Sequence, residues 1–189
     1  MPQGPLLPTA QLALQATARR AGAARWLDAR LFEILGRWVA DVPEPEVKIS
    51  LATQASHHGW HAALWGERLP SLHDVDPASW VRRPSAGVAQ AVAALAAATG
   101  TVERLAAVHR ALLPRLVAAH AGHLAAASPV ADAPTIRTLR LVLTDEVEDQ
   151  QACERLLQPL LCTRADVERA AAQQAAVESL LAEAGPLLG

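Results

Sequence analysis

The sequence predicts an all-α chain built from amphipathic helices, and three observations carry that expectation. Hydrophobic residues reach 51% while aromatics are only 3%, so Ala and Leu supply most of the apolar surface. Those residues recur at the three- and four-residue spacing of one helix face. Val, Ile and Thr never alternate with polar residues over a useful length, as a half-buried strand would require. A chain of 189 residues fits one domain, taken as 1–189, large enough to bury a core.

Proline and glycine divide the chain. A first helix is expected from Thr9, as N-cap, to Val42, with Gly22 as a weak point, and Pro43-Glu44-Pro45 ends it. A second runs from Glu46 to Leu69 and stops at Pro70. Pro70, Pro77 and Pro84 make residues 70–85 a long connection. Residues 86–99 form a short Ala/Val helix closed by Gly100. A third long helix starts at Thr101, with Glu103 in its first turn where an acid suits the helix dipole. It carries Pro114 and ends near Ala127. A turn from Ser128 to Pro134 leads into a fourth helix, Thr135 to Gln158. Pro159 and Thr163 separate it from a last helix, Arg164 to Ala184. The last helix has a thin stripe of Val167, Val177, Leu180 and Leu181, suited to capping the other helices or to a homodimer seam.

The net charge of −2 gives no general attraction to nucleic acid or anionic lipid. No run of apolar residues reaches the length of a membrane span. The N-terminus lacks the basic and apolar regions of a signal peptide, and Cys153 and Cys162 are too few for a disulfide framework. The expected location is cytoplasmic, with no nucleic acid or membrane as partner.

Each helix can be phased by its apolar stripe. Leu27, Leu31, Ile34, Leu35 and Trp38 orient the first and leave Glu33 on the opposite side, between Arg30 and Arg37. Val47, Leu51, Ala62, Trp65 and Leu69 orient the second and put Gln54, His58 and His61 inward, with His57 at the edge. The third helix turns His109 and His120 inward. Leu139, Leu143, Val147 and Leu157 orient the fourth, with Glu146, Gln150 and Cys153 inward and Asp149 at the margin. Depth along the helix axes, at about 1.5 Å per residue, brings Gln54, His58, His109, Glu146 and Gln150 to one level. His61 falls one turn further along and His120 further still.

These residue types point to a metal. His58, His61 and His109 offer imidazole and Glu146 a carboxylate, a donor set suited to iron, zinc, copper or nickel. The i,i+3 spacing of His58 and His61 lets both rings face one ion. Gln54 and Gln150 then bind the imidazoles and orient them. Two other readings fit the same residues: a metal-free polar pocket for a small molecule, and a buried hydrogen-bond network that only holds the fold. Cys153 reads as a small core residue and Trp60 and Trp65 as packing. His57 and His73 read as solvated, and His120 and His123 as residues at the end of the helices, open to a surface position.

Four long helices with short links between the first and last pairs and a long crossover resemble the ferritin-like superfamily of di-metal carboxylate proteins. That family implies an inward Glu on two helices and Glu-x-x-His on the other two. Here Asp149 stands in the His position of Glu146-Val-Glu-Asp149, and Gln54 in the Glu position of Gln54-Ala-Ser-His57. Glu33 has the right position on the wrong face, and the third helix offers only Leu112 to Leu116 at the required depth. The stretch Leu51 to Pro70 is similar to that of uncharacterised bacterial ferritin-like proteins. The resemblance implies a ferritin-like four-helix bundle with a long crossover, an extra C-terminal helix and a degenerate di-iron site. The function it implies is that of a non-haem metal-dependent oxidoreductase; the alternative is a metal-free bundle that binds a small molecule or a protein partner.

Overall fold

The computed structural model describes residues 7–189, with side chains from Gln15 onward. The elements are α1 (Leu7–Asp41), α2 (Pro45–Gly66), a 3-10 turn (Pro77–Trp80), α3 (Ala86–Ala96), α4 (Thr101–Ala106), a π-helical turn (Ala107–Leu112), α5 (Leu113–Ala126), α6 (Ala133–Leu157), a second 3-10 turn (Gln158–Leu160) and α7 (Arg164–Ala184). Among the described residues there is no strand, only an isolated bridge between Leu72 and Val75. Among the described residues no helix is long and apolar enough to cross a membrane. Because α1 begins at Leu7, Thr9 lies inside the helix and does not cap it.

Side-chain pairs fix the directions of the helices. Pro43 and Pro45 force the turn between α1 and α2, and Pro45 opens α2, where its missing N–H costs nothing. His57 meets Asp149 and His61 meets Asp145, so α2 and α6 run antiparallel. Arg110 meets Glu154 and His120 meets Glu146, so α5 is antiparallel to α6 as well. Thus α2 and α4–α5 run the same way, and residues 67–100 carry the chain back between them. Thr101 donates its hydroxyl proton to Glu44 at 2.8 Å, which ties the start of α4 to the α1–α2 link. Arg104, buried against Trp38, donates to Ala98 O and to Asp41 at the same end.

Two glycines permit backbone-close packing. A Cβ on Gly22 would lie 2.0 Å from the Trp80 carbonyl oxygen, so the crossover rests directly on α1 there. A Cβ on Gly87 would lie 2.8 Å from Ala184 Cβ, where α7 crosses α3. α7 is fixed at its start by a capping box between Thr163 and Asp166. It buries Ala170, Val177 and Leu181 against the core, whereas Val167 is 48% exposed and is not part of the buried stripe.

The phase of α6 differs from the expected one. Leu139, Val142, Glu146, Asp149, Cys153 and Leu157 are buried, while Val147 is exposed and Leu143 only half-buried. The Leu139-Leu143-Val147 stripe therefore turns the helix too far. The same rotation brings Asp149 inside and leaves Gln150 half-buried. Trp60 is 47% exposed, so it is not a packing residue, unlike Trp65. His120 and His123 are both buried, not at the surface.

Candidate metal centre

Adjacent helices bring one carboxylate and two imidazoles together in the interior. Asp28 comes from α1, and His58 and His61 come from successive turns of α2. One ligand atom from each lies within 4.8 Å of the others, and all three residues are buried. Helical spacing places the two rings on one face of α2, and the antiparallel α1 presents Asp28 to it. His58 Nδ1 donates to Asp28 Oδ1 at 2.7 Å. His61 faces the other way and donates from Nε2 to Asp145 Oδ2 at 2.9 Å. Its Nδ1 therefore keeps the lone pair. That Nδ1 and Asp28 Oδ2 are buried with no hydrogen-bond partner among the described residues.

A carboxylate behind an imidazole fixes the ring tautomer and makes the far nitrogen more basic, an arrangement common around protein-bound metals. It occurs at His57, His58, His61 and His120, and at His61 and His120 the far nitrogen is buried without a partner among the described residues. His120 Nδ1 donates to both oxygens of Glu146, each at 3.1 Å. Trp65 stacks on the His120 ring with centroids 5.3 Å apart.

Electrostatics distinguish the histidines. Burial alone would lower the His58 pKa. The hydrogen bond and charge of Asp28, with the charges of Glu146 and Asp149, outweigh burial and hold it above its ordinary value. Burial raises the Asp149 carboxyl above the usual range despite its 2.9 Å bond to His57. His57 is thus half-buried and paired, not solvated. Burial also pushes the Cys153 thiol up, which makes it a poor nucleophile and agrees with a packing role.

His109 is placed otherwise. Its Nδ1 is 3.1 Å from the Leu105 carbonyl and its Nε2 2.7 Å from Gln54 Oε1. Two such contacts would need two ring protons, yet burial pushes the His109 pKa down to about 4, so the neutral ring has one. A half-turn of the Gln54 amide, exchanging its oxygen and NH2, lets Nδ1 donate to Leu105 and Nε2 accept from Gln54. Either way both nitrogens are engaged, and His109 has no free lone pair for a metal.

Gln150 serves the backbone. In the π-helical turn Leu113 N–H bonds Val108 O, five residues back. The next donor in that register is Pro114, which has no N–H, so the His109 carbonyl would be orphaned. Gln150 Nε2 reaches it at 3.4 Å. Of the six expected site residues, then, His58 and His61 fall in the triad. Gln54 and His109 pair with each other, Glu146 pairs with His120, and Gln150 supports the π turn. Glu33 is exposed and pairs with Arg30, as the charge pattern predicts.

Neither a protein-family model, a curated protein nor a solved structure matches the chain. The geometry therefore stands alone. Two imidazoles and one carboxylate, held close in a dry interior, can bind a divalent transition metal and leave further coordination positions open.

Asp28 and Asp145 are the residues of the centre that the helix phasing does not name. Asp28 lies three residues before Leu31 and seven before Leu35, on the apolar stripe of α1, and a carboxylate there is the visible signal. The ferritin-like pattern points to Glu33 instead. His120 was on the correct face. Its depth was misjudged because α4 and α6 do not start level: Arg110 meets Glu154, which sets His120, and not Leu112 to Leu116, opposite Glu146.

Proposed function

We propose that this chain is a ferritin-like metalloprotein that holds one transition-metal ion between Asp28, His58 and His61 and acts as a non-haem oxidoreductase. The observation that carries this reading is the buried cluster of Asp28, His58 and His61, one ligand atom of each within 4.8 Å of the others, in which Asp28 Oδ2 and His61 Nδ1 have no hydrogen-bond partner among the described residues. Each unpaired buried polar atom costs roughly 1–3 kcal/mol, and one cation relieves both at once. The antiparallel order of the helices supports the ferritin-like part: α1 and α6 run one way and α2 and α4–α5 the other, with the crossover between the second and third long helices.

A bound iron would supply one-electron and dioxygen chemistry. The chain's own residues do the rest. Asp145 holds His61 in the tautomer that offers Nδ1. Asp28 and His58 contribute one negative charge and one neutral donor once the His58 proton has left. Leu31 and Trp65, one turn from Asp28 and His61 on their helices, are fully buried and keep the interior apolar.

The test is metal analysis of protein purified without a histidine tag, with parent, Asp28→Ala and His61→Ala compared. The expected result is about one metal per chain in the parent and a large loss in both variants, with helical content unchanged by circular dichroism. A parent chain that takes up no iron, zinc or copper after reconstitution overturns the reading.

A metal-free reading has one observation in its favour. The raised pKa of His58 allows Asp28 and His58 to form a buried ion pair without any metal. It leaves His61 Nδ1 unexplained, and for that reason the metal is preferred.

A further inference from the structure

We propose that the cavity enclosed by Arg19, Trp80, Arg82 and Arg83 binds a small organic anion, an acidic head group attached to an apolar tail or ring. The site is separate from the metal centre and does not depend on it. Arg19 lies nine residues before Asp28 on α1, which is roughly 13 Å along the helix axis.

The cavity has a volume of about 370 Å³, within the range of small-molecule sites. It forms where the crossover docks on α1. The contact at Gly22, too close for any side chain, sets the Trp80 backbone against the helix and brings Arg82 and Arg83 beside Arg19. Ala23, Pro84 and Leu188 supply apolar wall.

Charge selects the head group. Three guanidinium groups line the cavity, no Asp or Glu side chain does, and Ser79 and Gly189 complete the wall. Arg19, Arg82 and Arg83 are exposed and form no salt bridge among the described residues, unlike Arg30, Arg104 or Arg110. Arg82 is already positioned, because its Nε donates to Ser79 O at 2.9 Å and leaves its two terminal NH2 groups free. Guanidinium groups suit carboxylate and phosphate oxygens, which they bind in pairs.

Trp80, half-buried in the cavity wall, gives a flat apolar surface for the body of the ligand.

The experiment is isothermal titration of the full chain with octanoate, octyl phosphate and octanol, followed by the same titrations of Arg82→Gln/Arg83→Gln and of Trp80→Ala. Circular dichroism and melting curves verify that each variant is folded. The expected result is saturable binding of at least one anion, weakened roughly tenfold or more in the double arginine variant, as loss of a charge-assisted hydrogen bond implies. Trp80→Ala removes the flat apolar wall, so it should weaken both anions several-fold. The tighter of the two anions identifies the head group as carboxylate or phosphate. Octanol bound as tightly as the anions, undiminished binding in the arginine variant, or no saturable binding of either anion would each overturn the proposal. Binding to anionic vesicles without affinity for either free anion would overturn it in favour of a lipid surface.

Discussion

His61 gives its Nε2 proton to Asp145 at 2.9 Å, and its buried Nδ1 is left without a hydrogen-bond partner among the described residues in the cluster that His61 forms with Asp28 and His58. Asp145 is itself 21% exposed and reaches no candidate ligand but His61. Asp145→Asn should therefore leave the fold intact and weaken metal binding about 10- to 100-fold, the usual effect of removing a partner behind a metal-bound imidazole. Chelator competition on the reconstituted protein measures it. An unchanged affinity would mean that His61 is not a ligand.

Glu146 and His120 form a buried pair with both members fully enclosed. In the metal-free protein, Glu146→Leu or His120→Leu alone should cost about 3–5 kcal/mol, because each leaves the other group buried and uncompensated. The double Leu variant should recover most of that loss and fall within about 1 kcal/mol of the parent. Urea denaturation of the four proteins gives the cycle. A double variant as unstable as the sum of the singles would show that the two groups act independently.

The pH dependence of stability has a definite sign at His109. Burial lowers its folded pKa to about 4 from an ordinary 6.5. The folded state thus favours the neutral ring. The stability this contributes is complete above the unfolded value and is lost as pH falls from there through about 4. His109→Gln removes the titration, so its stability relative to the parent should improve as the solution is acidified across that window. His123, also lowered to about 4 by burial, keeps its own share of the acid sensitivity. A difference between variant and parent that stays constant across the window would show that His109 is not buried neutral.

The exposed pair Arg30–Glu33 is the opposite case. Both side chains are nearly half-exposed at 2.9 Å separation. Glu33→Ala should change stability by no more than about 0.5 kcal/mol and leave metal content untouched. A loss of metal would return Glu33 to the centre.

The helices and the identity of α2 as the main contributor of site residues were legible, because strong 3.6-residue periodicity and proline punctuation act locally. The relative register of helices was not. It depends on contacts such as Thr101 with Glu44 and Arg110 with Glu154, which link residues 57 and 44 positions apart. That is why the depth estimate separates His120 from Glu146, its partner in the structure. The phase of α6 failed for a different reason. Leu143 and Val147 are apolar but lie on the half-buried and exposed side, and hydrophobic residues on a helix surface are ordinary. The π turn has no local signature beyond Pro114, and the role of Gln150 follows only once that turn is seen.

Gly22 tests whether the crossover is docked as firmly as the close contact implies. Two effects of Gly22→Ala oppose each other. Ala in a helix interior is favoured over Gly by about 1 kcal/mol, so on a free helix face the substitution would stabilise. Here the new Cβ would lie 2.0 Å from Trp80 O and 2.7 Å from Trp80 C. Both are backbone atoms and cannot rotate away. The crossover must shift or lift off α1, and the half-buried Trp80 ring would lose its seat. Overpacking of this kind costs about 1–3 kcal/mol, which outweighs the gain in helix propensity. The expected result is a net loss of stability together with loss of the anion cavity, since Arg82 and Arg83 move with Trp80. Thermal melting and octanoate titration read the two effects separately. A stabilised variant would mean that the crossover does not rest on Gly22, and the positioning of the arginines would lose its cause.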